Sequence, residues 1–237
     1  MANSKTHSES CASCANRFTN IFCEHGFANA PEMDDQKICI SYKKGEYVFK
    51  EGTKPYGIYC VNKGKLKLSK VGADGKEQII RLAKHGDPLG YKSLLSGEYY
   101  NSSAIALEDS GVCFISKDMF MSVLQKDNVL AIELMRRLST ELDQTEDQLT
   151  RIAQNSVRAR VAEAILFIKE AYGYEPDGIT IDAAFSREEI ANIVGTATET
   201  AIRLLSEFKK ENLIAFKGKR VQILDVAKLI KISAIND

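Results

Sequence analysis

SREEIANIVGTATETAIRLL, residues 186–205, carries two helical periods interrupted by a single glycine. Ser186 and Glu189, three residues apart, are the signature of a capping box, in which each side chain meets the other's backbone N–H. The short apolar helix REEIANIV stops at Gly195, a residue suited to the left-handed conformation that closes helices. After the turn GTA, a longer helix is predicted from about Thr198 to Asn212. Two helices joined by a glycine-bearing turn make a helix-turn-helix. LIAFKGKRVQILD then reads as two short strands around Gly218, a winged addition.

A helical hairpin can be a packing motif and nothing more, but two features point to DNA. The second helix opens with the polar residues Thr198, Glu199, Thr200 and Arg203. In a docked recognition helix such N-terminal side chains reach base edges in the major groove. Arg203 suits bidentate donation to guanine, and Glu199 can accept from cytosine. Four residues apart, they share a face and can also pair with each other. Beyond them Lys209, Lys210, Lys217, Lys219 and Arg220 outnumber Glu207 and Glu211, a local surplus that suits phosphates.

Upstream, the helix VRARVAEAILFIKEAYG ends at Gly173, before the breaker loop YEPDG. Before it, Ala131, Met135, Leu138, Leu142, Thr145, Leu149, Ile152 and Ser156 alternate steps of four and three. A helix packed on its own domain would show a wider apolar face. Here the stripe is narrow and flanked by Arg136, Arg137, Glu141, Asp143, Glu146 and Asp147, the pattern of a parallel two-stranded coiled coil. The expected dimer contacts are Leu138, Leu142, Thr145, Leu149 and Ile152, with Thr145 a polar break that specifies register.

From about residue 38 to 115, glycines punctuate short runs rich in β-formers, among them YVF, GIYCV, KLKLSKV, EQIIRLA and VCFIS. These indicate an antiparallel sandwich or roll, with GADGKE at 72–77 as a hairpin turn. The chain is therefore of the α+β class, with an N-terminal β-roll, a long dimerisation helix and a C-terminal winged helix-turn-helix. The expected divisions are a cysteine-bearing segment at 1–30, the roll at 31–126, the dimerisation helix at 127–156 and the DNA-binding domain at 157–237.

Across 237 residues, 32 basic side chains balance 32 acidic ones, so overall charge advertises neither nucleic acid nor membrane. No run approaches the ~20 apolar residues of a membrane span, and MANSKTHSES is no signal peptide. A cytoplasmic protein with no membrane partner is expected. No Ser/His/Asp set, phosphate-binding glycine loop or carboxylate pair marks an enzyme. The six cysteines are then reduced thiols or metal ligands rather than a disulfide framework. Cys39, Cys60 and Cys113 lie in apolar strand-like runs, as small core hydrophobes do. Cys11, Cys14 and Cys23, in CASCANRFTNIFC at 11–23, have no such packing reason. His25, two residues past Cys23, is an alternative ligand, whereas His7 and His85 read as surface histidines.

GTKPYGIYCVNKGKLKL, GKEQIIRLAKHGDPLG and SREEIANIVGTATETAIRLL resemble the signatures of the Crp/Fnr family of bacterial transcription regulators, over nearly the whole chain. The resemblance implies a homodimer with a cyclic-nucleotide-binding-like jelly roll and palindromic double-stranded operators whose half-sites lie one helical turn (roughly 34 Å) apart. RNA polymerase is an implied partner. The cAMP-binding branch carries a glutamate shortly after the glycine corresponding to Gly90 and an Arg-Ser pair before the next strand. Here Tyr91 and Lys92 follow Gly90, and Asn101, Ser102 and Ser103 occupy the Arg-Ser region, so no cyclic nucleotide is expected.

The same segment is closer to the oxygen-responsive FNR branch, whose 4Fe–4S cluster takes three N-terminal cysteines and a fourth on the strand before the dimerisation helix. The resemblance thus implies Cys11, Cys14, Cys23 and Cys113 as ligands. The Cys14–Cys23 spacing is longer than in that branch, a difference a loop absorbs at little entropic cost. Four thiolates also suit structural zinc, a disulfide of Cys11 with Cys14 or Cys23 makes a thiol switch, and haem or no bound effector are further alternatives. For DNA, the resemblance carries Glu199 and Arg203 onto the family's half-site readers. Ile202 stands where the FNR branch has serine, so only the GA core of its TGA triplet is implied.

Overall fold

The computed structural model describes Lys5–Thr6, Cys14 and residues 37–233, so Cys11 and Cys23 lie outside the described residues, as do His7 and His25. The chain divides into two compact units. One runs to Lys70 and resumes at Arg81–Asp143; the other joins Val71–Ile80 to the chain from Gln144 onward.

The first unit is the antiparallel β-roll. One sheet has the order β1 (Lys5–Thr6), β2 (Ile38–Tyr42), β9 (Ser110–Ser116), β4 (Gly57–Lys63), β7 (Pro88–Leu89). The other has the order β3 (Tyr47–Phe49), β8 (Ser103–Ala106), β5 (Lys65–Val71), β6 (Glu77–Lys84). Side chains alternate between faces along each strand. Val61 and Val112 therefore join Leu66, Leu68 and Leu89 in the core. Ile58, Cys60 and Ile115 turn the other way. They meet Tyr91 and Leu94 of helix α1 (Tyr91–Ser96), Phe120 of α2 (Lys117–Lys126) and the start of α3 (Asn128–Gln154). Gly57 is required by close approach, because a Cβ there would fall 2.1 Å from the Ile115 carbonyl oxygen.

Ser116 caps α2 by accepting from the Met119 N–H, and Asp127 opens α3 by accepting from the Leu130 N–H at 2.9 Å. The 27 residues of α3 divide their apolar positions between two tasks. Leu130 and Leu134 are 0% and 2% exposed against the roll, a use of the helix that the heptad reading did not separate. Leu138, assigned to the seam, packs partly on that same core. Met135, Leu142, Leu149 and Ile152 remain exposed, Leu142 at 58% and Leu149 at 69%.

The second unit is built from α4 (Val157–Tyr172), β10 (Thr180–Ala184), α5 (Arg187–Val194), α6 (Thr198–Lys210), β11 (Ile214–Lys217), β12 (Arg220–Ile223) and α7 (Val226–Ser233). The wing is a three-stranded sheet of order β10-β12-β11, one strand more than the sequence suggested. α7, which was also missed, packs on α4. A signal for α7 was present, since Asp225 accepts from the Lys228 N–H at 2.8 Å in the manner of an N-cap. The tip of the β5–β6 hairpin belongs to this unit. Asn192 donates to the Glu77 carboxylate at 3.0 Å, and the Gln78 amide donates to the Ile193 carbonyl at 3.2 Å.

The exposed stripe on α3 makes a direct prediction. Each leucine buried in an association contributes about 1.5–3 kcal/mol. L142K with L149K is expected to weaken self-association by at least about a hundredfold. Sedimentation equilibrium should then report monomer, with helical circular dichroism unchanged because both side chains are mostly exposed in the single chain. A variant that stays dimeric places the interface elsewhere.

Candidate DNA interface and cysteine site

The helix-turn-helix is fixed by local chemistry. Ser186 Oγ accepts from the Glu189 N–H at 3.0 Å, and the Ser186 N–H donates to Glu189 Oε2 at 2.8 Å, closing the capping box. Gly195 ends α5 with φ 70°, the left-handed value a side chain disfavours. α6 buries Ala201, Leu204, Leu205 and Phe208, leaving Glu199, Ile202, Arg203, Ser206 and Lys210 on the outer face. Thr198 and Thr200 are half-buried at its first turn. The helix closes at Lys210 rather than Asn212, which takes φ 55°. Ile202, 44% exposed beside Arg203, is an apolar group on the outer face of α6.

Arg203 is paired, but with Glu207 rather than Glu199. Its Nη1 donates to Glu207 Oε1 at 2.6 Å, while the side chain stays 64% exposed. Arg158 of α4 reaches the other oxygen of Glu207 at 3.4 Å and holds Glu211 through both carboxylate oxygens at 2.9 and 2.7 Å. Its guanidinium also lies 4.7 Å from the Phe208 ring centroid. The wing is less freely cationic than the sequence implied. Lys217 lies 3.5 Å and Arg220 3.0 Å from the two oxygens of Glu175. Lys209 and Lys219 are exposed. Arg187 stacks over Phe216 at 3.5 Å, and burial lowers its pKa.

In the β-roll, the segment after Gly90 meets α3 through charge. Glu141 accepts from the Tyr91 hydroxyl at 2.6 Å and from Arg137 Nε at 3.2 Å. Lys92 Nζ lies 2.5 Å and Arg81 Nη1 3.4 Å from its carboxylate. Arg137 also donates to Asp87 at 3.0 Å. Burial disfavours the Glu141 anion, but Arg81, Lys92 and the Tyr91 hydroxyl outweigh it and hold the carboxyl down at about 2. Burial and the Glu141 hydrogen bond push Tyr91 up to about 12. Lys92, in the segment that follows Gly90, thus already faces a carboxylate.

The cysteines form a row. Cys113 on β9 stands directly opposite Cys39 on β2 and Cys60 on β4, so the three share one face of the five-stranded sheet. Cys60 is a buried core residue, as the sequence suggested. Cys39 is not simply one, because its sulfur lies 2.6 Å from that of Cys113. This contact, then burial, pushes the Cys113 thiol far above its ordinary value, against the pull of Lys37. Cys14 lies against the same sheet, its sulfur 3.9 Å from Asn62 Oδ1, two residues beyond Cys60. The start of the chain is paired there too, with Thr6 opposite Cys39. Among the described residues, no three His, Cys, Asp or Glu side chains are gathered as a metal site. The donors on this sheet are nevertheless thiols, the chemistry that iron–sulfur clusters and zinc select.

Residues 39–127 match the cyclic nucleotide-binding domain family, and residues 159–232 match the Crp-like helix-turn-helix domain. The chain is 30% identical over 191 residues to the transcriptional activator protein anr of Pseudomonas aeruginosa, covering 79% of this chain and 77% of the relative. It is 27% identical over 215 residues to the fumarate and nitrate reduction regulatory protein of Vibrio cholerae, covering 88% and 85%. The structure of FixK2 from Bradyrhizobium japonicum has the same fold, with TM-score 0.74 at 24% identity, covering 85% of this chain and 99% of that one. No helix among the described residues is long and apolar enough to cross a membrane.

Arg203→Ala is expected to relax selection at one guanine and cost about 1–3 kcal/mol of binding. Unchanged selectivity in a binding-site selection contradicts that role. Glu141 predicts a pH dependence of stability. Its folded pKa of about 2 lies below the ordinary 4.5, so its contribution is present above pH 4.5 and lost as pH falls toward 2. Glu141→Gln leaves Arg81 and Lys92 facing a neutral amide, at a cost of about 1–3 kcal/mol near pH 7. Urea unfolding of both proteins should show the difference shrinking through that acid window; a constant difference contradicts the assignment.

Proposed function

The chain belongs to the Crp/Fnr family of transcription regulators, DNA-binding proteins and not enzymes, and on that premise we propose that its DNA affinity is set by a 4Fe–4S cluster. Cys11, Cys14, Cys23 and Cys113 hold it, Cys11 and Cys23 by the resemblance to the FNR branch. The observation that carries this reading is the placement of Cys14 against β4, on the sheet that bears Cys113. Ligation by thiolates requires the Cys113 proton to leave, which a bound metal's own charge favours. Bound there, the cluster supplies sensitivity to oxygen and nitric oxide.

This chain's residues do the rest. β9 passes from Cys113 through Ser116 into α2 and then α3, so a ligand fixing Cys113 to the N-terminal segment acts on the strand that feeds the dimerisation helix. The protein works as a homodimer through Leu142, Thr145, Leu149 and Ile152, with Leu138 at the margin of its own core. Glu199 and Arg203 read each half-site of a palindromic duplex in the cytoplasm, with Thr198 and Thr200 at the helix entrance. Lys209 and Lys217 meet phosphate, Lys217 by exchanging Glu175 for it. RNA polymerase is the partner at the promoter. A cyclic nucleotide is not the effector in this reading, because Lys92, Arg81 and Arg137 are engaged by Glu141 and Asp87.

Protein purified without oxygen should be coloured, contain iron and acid-labile sulfide near four of each per chain, and show a cluster Mössbauer spectrum. Cys113→Ser should lose most of the iron while retaining the fold. A colourless protein with stoichiometric zinc overturns the sensor reading.

A further inference from the structure

Cys39 has no place in the ligand set above, yet its sulfur lies against that of Cys113. We propose that Cys39 and Cys113 are a site of oxidative modification, closing into a disulfide that joins β2 to β9. The two are a register pair on adjacent antiparallel strands, with their sulfurs 2.6 Å apart. Opposed residues in such a pair have Cα atoms about 4.5–5.5 Å apart, inside the window of about 4.4–6.8 Å that a disulfide spans. The register of the pair therefore matches the separation a disulfide requires.

Selectivity follows from the same row. Cys113 stands between two opposed cysteines, but Cys60 is 6% exposed beneath Leu94, Phe120 and Leu130. Cys39 and Cys113 are both only half-buried. A small oxidant can therefore reach this pair and not Cys60. With hydrogen peroxide the step is balanced. One sulfur attacks the peroxide oxygen, giving a sulfenic acid and one water; the other sulfur displaces the hydroxyl as a second water. Two thiol hydrogens and one peroxide are consumed, the sulfurs are oxidised, and a dithiol reductant restores the pair.

A consequence rests on the ligand reading above: a Cys113 sulfur tied to Cys39 is not a thiolate ligand, so the oxidised chain is unable to take up a cluster until it is reduced. The disulfide itself does not depend on that reading. The test uses full-length protein freed of metal by chelation under reducing conditions, then treated with stoichiometric hydrogen peroxide, alkylated and digested. Mass spectrometry should find Cys39 and Cys113 in one disulfide-linked pair, with two alkylatable thiols lost and both regained on reduction. Cys60→Ser should leave that link intact. Cys113 linked instead to Cys11, Cys14 or Cys23, or left as a thiol while Cys39 remains alkylatable, overturns the proposal. Iron content is read separately: Cys39→Ser should abolish the link while keeping the iron of the anaerobic protein. Loss of iron in Cys39→Ser makes Cys39 a ligand and also overturns it. Absence of iron in the parent protein, with the link still formed, refutes the cluster and leaves the disulfide standing.

Discussion

Glu141 places a carboxylate between two helices and a strand, at a point where water is largely excluded and only cations and a hydroxyl can keep it charged. Arg81 from β6, Lys92 and Tyr91 from α1, and Arg137 one turn back on α3 supply them. Burial of an ion without partners costs several kcal/mol, so these groups need one another. Together with Leu130 and Leu134 they decide which side of α3 faces the roll. The side left over carries Leu142 and then Leu149 and Ile152. A helix able to turn about its axis would present no constant outer stripe; the Glu141 cluster and the two leucines prevent that.

The same unit sets the cysteine chemistry. β9 is the middle strand of the five-stranded sheet, hydrogen-bonded to β2 on one side and β4 on the other. A central strand is held on both edges, so the Cys113 sulfur has a fixed position relative to Cys39 and Cys60. Thr6 pairs beside β2 and Cys14 lies beside β4 on this same sheet. Thiol chemistry on this face therefore meets a strand that runs, through two capped helix starts, into α3. A ligand or a covalent bond that distinguishes two arrangements of this strand shifts their populations by its differential free energy and no more.

Features encoded locally were legible in the sequence. The capping box at Ser186 and Glu189, the stop at Gly195 and the 3.6-residue period of α6 each depend on residues within one turn, so reading them needed no tertiary knowledge. The β-roll was legible from its strand alternation and glycines, and the α3 stripe from its heptad steps. What escaped depends on long-range contact. Leu130 and Leu134 look like any helical leucines until the roll is placed against them. Arg203 could pair at either i−4 or i+4, and it is Arg158, distant in sequence, that completes the arrangement around Glu207. Lys217 reads as a phosphate contact until Glu175 is brought beside it by the turn after α4. Cys39 read as a core hydrophobe because only strand register sets it opposite Cys113. β10 is short and flanked by a turn, and pairing with β12 is what makes it a strand.

The proposed sensor links the thiols of the roll to binding of DNA. Equilibrium binding to a palindromic duplex carrying the GA core, measured at one fixed salt concentration on anaerobic protein before and after exposure to air, tests that link directly. The account predicts that affinity falls on exposure, by at least about tenfold, and that Cys113→Ser starts at the weakened value and does not respond. Equal affinity before and after exposure, with Cys113→Ser binding like the parent protein, contradicts it.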